Sequence, residues 1–129
     1  MNRPPELRRV QHVSLVRPRG SDDAARRFYG AVLGLDEIPV PASLAAYDLI
    51  WYRLGDDELH LVGRETQPGD AGQHLCVEVD DVAALRDYLT AAGVPITDDP
   101  EIPNRPRFFC RDPFGNAIEF TSILGPYTG

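Results

Sequence analysis

The order of elements readable in residues 9–62 recurs in residues 73–122: strand, helix, strand, strand, strand. In the first half, Arg9–Val16 alternates as a strand, with Val13 and Leu15 on one face and His12 and Ser14 on the other. Arg17-Pro-Arg-Gly20 breaks it. Ser21 suits an N-cap, Asp22 and Asp23 suit a first helical turn, and Ala24, Ala25, Phe28, Tyr29, Val32 and Leu33 recur at helical spacing up to Gly34. Asp36–Val40 reads as a short strand. Tyr47–Leu54 and Glu58–Val62 form a hairpin about Gly55-Asp56-Asp57. Polar residues Gly63–Gly72 read as a linker. The second half then gives a strand over Gln73–Val79 and a helix capped by Asp80 or Asp81 and running to Ala92. Val82, Leu85 and Leu89 face its core side, and Tyr88 is a further candidate for that face. Gly93 ends the helix, and Val94–Thr97 is a short strand. After the proline-rich stretch Asp98–Pro106 come strands Arg107–Arg111 and Ala117–Ser122 about the turn Asp112-Pro-Phe-Gly-Asn116. One such half exposes a sheet face and must pair with another half to cover it. At 129 residues the expectation is a single α+β domain over 1–129, with modules at about 9–62 and 73–122.

The two halves carry metal-type ligands at matching places. His12 and His74 are 62 residues apart (74 − 12), and His60 and Glu119 are 59 apart (119 − 60). These are all three histidines of the chain. A strand histidine is ordinarily a satisfied polar residue, but three at repeat-equivalent positions fit one ion held between two repeats. Parity agrees. The neighbours Val13, Leu59, Leu61, Leu75, Ile118 and Phe120 are apolar and should face the helices, while Ser14, Glu58, Cys76, Glu78 and Thr121 share the ligand side. That polar face either lines a cavity or is the solvated side of an antiparallel sheet.

A formal charge of −7 with dispersed arginines argues against a nucleic-acid partner. The apolar runs are too short for a membrane span, and the first residues carry no apolar signal segment, so a cytoplasmic protein is expected. Cys76 and Cys110 lack metal or redox spacing and read first as small core residues, although Cys76 has the parity of His74.

The run Arg27-Phe-Tyr-Gly-Ala-Val-Leu-Gly-Leu35, within Asp22–Leu35, resembles the first-helix signature of the vicinal oxygen chelate superfamily. Arg111-Asp-Pro-Phe-Gly-Asn-Ala-Ile-Glu-Phe120 resembles its closing hairpin, and His74–Asp81 its second-module opening. The likeness spans residues 9–122. It implies two βαβββ modules forming a curved, half-barrel-like mixed sheet with a central cavity, and commonly a homodimer. The family's four ligand positions map onto His12, His60, His74 and Glu119. His60 departs from the carboxylate or glutamine that bacterial glyoxalase I and its relatives place there. Three imidazoles and one carboxylate leave a more positive centre than two carboxylates do, which acidifies bound oxygens more strongly and removes one candidate base.

The resemblance implies a metal-dependent, glyoxalase-like lyase or isomerase acting on a small molecule with vicinal oxygens through an enediolate-type intermediate. The alternatives are an extradiol-type Fe(II) dioxygenase and a non-enzymatic drug-binding resistance protein. One divalent ion (Zn, Ni, Co, Mn or Fe) suits the donor set. Glu119 is either the base beside the ion or a ligand alone. Tyr47, Trp51 and Arg53 share one strand parity, as do Arg107, Phe109 and Arg111. Each trio is either a substrate-binding wall or an outer or dimer face.

Overall fold

The computed structural model describes residues 3–66, 68 and 72–126. The expected linker falls partly on residues 67 and 69–71, outside the described residues. The chain runs β1 (His12–Pro18), α1 (Asp22–Ala25, continuing in wider π-type turns over Arg26–Val32), β2 (Glu37–Ile38), a short 3-10 turn (Ala42–Leu44), β3 (Leu49–Leu54) and β4 (Asp57–Arg64). Then follow β5 (His74–Glu78), α2 (Val82–Ala91), β6 (Ile96–Thr97), β7 (Arg107–Arg111) and β8 (Ala117–Thr121). Two four-stranded mixed sheets result, ordered β1-β4-β3-β2 and β5-β8-β7-β6. In each, the first strand of the module lies parallel to the last, and the remaining pairs are antiparallel. This is the α+β arrangement of two βαβββ modules that the repeated pattern predicts.

Local chemistry explains most boundaries. Asp81 caps α2, its carboxylate accepting from the Ala84 amide at 3.0 Å. Gly93, at φ +82°, takes the left-handed position that ends α2. Ser21 behaves differently from expectation. Its hydroxyl makes no capping bond and donates back to the Pro18 carbonyl. In the π-type segment the adjacent rings of Phe28 and Tyr29 are both buried, edge to face with centroids 5.0 Å apart.

β1 continues through Arg17 and Pro18, where the sequence suggested a break. Arg17 is buried and reaches Asp22 at 2.9 Å and Asp48 at 2.7 Å, so its charge is compensated and the strand can carry it inward. Gly63 permits that pairing. A Cβ there would stand 1.9 Å from the Asp48 Oδ2. Gly63→Ala should therefore dislodge Asp48 from Arg17 and lower stability by about 1–3 kcal/mol in denaturant unfolding. An unchanged midpoint would show that the contact can relax freely.

The apolar faces of both sheets share one core. Ile50, Tyr52, Leu59 and Leu61 of the first sheet cluster with Phe108, Cys110, Ile118 and Phe120 of the second, together with Phe28 and Tyr29 of α1 and Leu89 of α2. A buried polar clasp joins the modules. The Tyr29 hydroxyl donates to Asp112 at 2.6 Å, and the Asn116 amide donates to both Asp112 and the Val16 carbonyl, each at 2.8 Å. Desolvation first, and then the Asp112 carboxylate, push the Tyr29 phenol far up, so it stays a donor. Tyr88, a candidate for the core face by periodicity, is instead exposed; its hydroxyl donates to the Val32 carbonyl at 2.7 Å. With the apolar faces turned to the common core, the two polar faces are turned away from it. Among the described residues, no helix is long and apolar enough to cross a membrane.

Candidate functional site

The polar face of the first sheet is built by register. His12 stands opposite Glu58 and Ser14 opposite His60 across the parallel pair; Trp51 stands opposite His60 and Arg53 opposite Glu58 across the antiparallel pair. The rings of His12, His60 and Trp51 stack across three strands. His12–His60 centroids lie 4.1 Å apart at 19°, and Trp51–His60 centroids 3.9 Å apart at 1°. His60 Nε2 lies 2.9 Å from Glu58 Oε1, and His12 Nδ1 lies 2.7 Å from Gln11 Oε1. The His60 hydrogen bond first, with Gln11 and Arg53 adding, holds the Glu58 carboxyl below its ordinary value against the opposing effect of burial.

The polar face of the second sheet centres on Glu119, which stands opposite Cys76 on one side and Phe109 on the other. Glu119 Oε1 lies 2.9 Å from His74 Nε2, and Oε2 accepts from Arg107 at 3.1 Å. Arg107 also donates to the Pro100 carbonyl at 2.7 Å and lies over the Phe109 ring. Phe109 meets His74 edge-on at 5.2 Å. Cys76, read from sequence as a small core residue, is instead exposed; Cys110 is the buried thiol. Desolvation first, then the charge and hydrogen bond of Glu119, push the Cys76 thiol up to about 11. It therefore stays protonated at neutral pH and is a weak nucleophile.

The four proposed ligands thus come together as two pairs, His12 with His60 and His74 with Glu119. Among the described residues, no three metal-binding side chains converge on one point. The reason lies in how the modules dock. Residues Val13–Val16 of β1 run beside Gln73–Leu75 and Ala117 along a groove of about 400 Å³. Asn116 reaches the carbonyl of Val16, four residues beyond His12. At about 3.3 Å per residue His12 lies roughly 13 Å further along the strand. Of the wall residues, Trp51, Arg53, Arg107 and Phe109 do lie on the polar faces. Tyr47 does not share the strand, because β3 begins at Leu49; its side chain is exposed ahead of it.

The donor chemistry tests how well a divalent ion fits. His74 Nδ1 faces the Gly72 carbonyl at 2.8 Å, so it carries a proton. Its Nε2 then faces a second acceptor, Glu119. Both contacts hold only if the ring bears a second proton or a cation takes that proton's place. His12 donates from Nδ1 to Gln11 and keeps Nε2 open. Both rings show the outer hydrogen bond that orients ligating histidines. His60 does not fit in the same way, since its Nε2 is committed to Glu58. Two buried donors, Trp51 Nε1 and Arg107 Nε, have no hydrogen-bond partner among the described residues. Sequence reading named Glu58 only by parity and passed over Gln11; the adjacency of Gln11 to His12 and the i, i+2 spacing of Glu58 and His60 were the available signals.

Two βαβββ modules with polar strand faces carrying histidine and carboxylate donors define a class of fold. The model of the Glyoxalase/Bleomycin resistance protein/Dioxygenase superfamily matches residues 9–120, and the chain belongs to that family. Among solved structures, a Bacillus anthracis protein described as of the glyoxalase family is 30% identical, with a TM-score of 0.88 over 94% of this chain and 99% of that one. The lactoylglutathione lyase of Agrobacterium tumefaciens is 24% identical, with a TM-score of 0.69 over 93% and 96% of the two chains. TnmS3, an antibiotic-binding protein of Streptomyces sp. CB03234, is 24% identical, with a TM-score of 0.74 over 93% and 99%. The last two likenesses speak for the fold alone. No curated protein matches the sequence.

Proposed function

We propose that the protein is a metal-dependent, glyoxalase-like lyase or isomerase of small substrates with vicinal oxygens. Its site forms where the first sheet's polar face in one chain meets the second sheet's polar face in a second copy. The observation that carries this reading is the His74–Glu119 pair. Its two facing acceptors, 2.9 Å apart, ask for a cation or a proton between them. Among the described residues β1 and β5 each leave one sheet edge unpaired, which favours completion by another chain.

In that site His12 Nε2, His74 and Glu119 would hold the ion, which supplies Lewis acidity where negative charge builds on the substrate's two oxygens. Arg107 fixes one oxygen of Glu119; the other, facing the His74 ring, would hold the ion or, when released from it, accept a proton from the substrate carbon beside the two oxygens. Trp51 Nε1 and Arg107 Nε would gain acceptors from the substrate or the second copy. Phe109 and Trp51 would line the pocket around the reacting carbon and limit water.

Light scattering should give twice the chain mass at micromolar concentration. Protein loaded separately with Zn, Ni, Co, Mn or Fe should catalyse exchange of solvent deuterium into α-hydroxycarbonyls or thiol–ketoaldehyde adducts with at least one of these metals, and lose that exchange on chelation. A monomer, or a metal-loaded dimer inert on the whole panel, would contradict the proposal.

The His12–His60–Trp51 stack favours one second reading, a binding protein for planar drug-like molecules. Tight binding of a flat aromatic compound by the inert, metal-free protein would select it.

A further inference from the structure

We infer that Gln11 and Glu58 form a relay that presets the open nitrogen of His12, and that His60 belongs to this relay rather than to the ligand set. The second part of this inference rests on the metal reading above; the first does not.

The hydrogen bonds determine the protonation pattern. Glu58, as a carboxylate, only accepts; His60 stands 2.9 Å from it, and the Gln11 side chain is a further neighbour that holds it below its ordinary value. The Gln11 contact must therefore come from its NH2 group. That turns the Gln11 oxygen toward His12, where it takes the Nδ1 proton at 2.7 Å. His12 is left with Nε2 as its bare nitrogen. His60, by contrast, places its Nε2 proton on Glu58 at 2.9 Å, so that nitrogen has no lone pair to offer. Arg53, with its nearest nitrogen 4.0 Å from Glu58, adds a third favourable neighbour to the carboxylate.

The stack excludes His60 independently. A ligated ion lies in the imidazole plane, about 2.0–2.1 Å from the nitrogen. The His12 and His60 planes are nearly parallel and 4.1 Å apart at their centroids, so no point within that reach lies in both. To share an ion one ring would have to turn. His60 is held between His12 and Trp51 with its side chain only 10% exposed, which opposes such a turn. The first module then offers one ligand, and Glu58 and Gln11 act as positioning residues behind it. Of the four repeat-equivalent positions, His60 keeps the place without the role.

The test reads ring-nitrogen shifts in a two-bond proton–nitrogen spectrum of the metal-free protein at a pH where the histidines are neutral. His12 should show the Nδ1–H form and His60 the Nε2–H form. In Gln11→Leu or Glu58→Gln, His12 should shift toward the Nε2–H form while the circular dichroism is unchanged. Zinc should then move the His12 and His74 nitrogens and leave those of His60 in place. His60→Phe, which keeps a flat ring in the stack, should bind one zinc per site within about threefold of wild-type affinity, whereas Glu58→Gln should lose roughly 10–100-fold. A His12 tautomer that ignores both relay variants overturns the relay. Zinc on a His60 nitrogen, or a folded His60→Phe without zinc, overturns the reassignment. Failure of wild-type protein to bind zinc or any other divalent ion overturns the metal reading and the ligand assignment with it, while the tautomers still decide the relay.

Discussion

Glu119→Gln should abolish metal-dependent activity and weaken divalent-ion binding by more than the roughly 10–100-fold that loss of an outer hydrogen-bond partner costs. The amide keeps the size of the carboxylate and can still accept from Arg107, but it loses the charge that faces His74 and the only anionic donor of the proposed set. The fold should survive, with a loss on the order of 1–2 kcal/mol from the weakened charge-assisted bond to Arg107. The two effects separate in a thermal melt with and without metal. Wild-type protein should melt higher as metal is added, because the ion binds the native state alone. The variant should melt close to metal-free wild type at every concentration. A variant that unfolds without metal, or one that keeps the full metal-induced shift, would remove Glu119 from the centre of the site.

Asp112→Ala should be the most damaging single change to stability, costing about 3–5 kcal/mol. The Asp112 carboxylate is buried and accepts from the Tyr29 hydroxyl, the Asn116 amide and the backbone amides of Phe114 and Asn116. Removal leaves several buried donors with no acceptor. The Asn116 link to Val16 should loosen too, so the damage falls on the docking of one module against the other. Tyr29→Phe removes one donor together with its need for an acceptor, and should cost about 1 kcal/mol. Denaturant unfolding of both variants checks the order. Equal costs would mean that the clasp is not organised around Asp112.

The duplicated architecture was legible because its cause is local. Period-two alternation separates His12 from Val13 and Glu119 from Ile118 and Phe120, and that separation holds in both sheets. β7 occupies Arg107–Arg111 as read, and Asp81 caps α2. Local reading failed where a distant partner decides. Arg17 looked like part of a break until Asp22 and Asp48 compensated it. Tyr47 had the right parity for β3, but the 3-10 turn at Ala42–Leu44 delays the strand to Leu49. Cys76 has a small core residue's profile and lies on the polar face. Parity names which side chains share a face, but it does not say which faces meet. The approach of β1 to β5 is set by Asn116, Tyr29 and Asp112, whose pairings span 83 to 100 residues of sequence. Spacing singled out His60 but not its place, with its ring between His12 and Trp51 and its Nε2 2.9 Å from Glu58.

The central claim is that each site draws on two chains, and a mixing experiment tests it most directly. His12→Ala impairs the first sheet's face, and Glu119→Gln impairs the second. Each variant alone should bind little metal. Unfolded and refolded together in equal amounts, they should regain about a quarter of wild-type metal sites, because half the dimers are mixed and each mixed dimer rebuilds one intact site. Recovery near that fraction, with activity returning in proportion, is the predicted result. No recovery in a mixture shown to contain mixed dimers would place every ligand within a single chain and contradict the account.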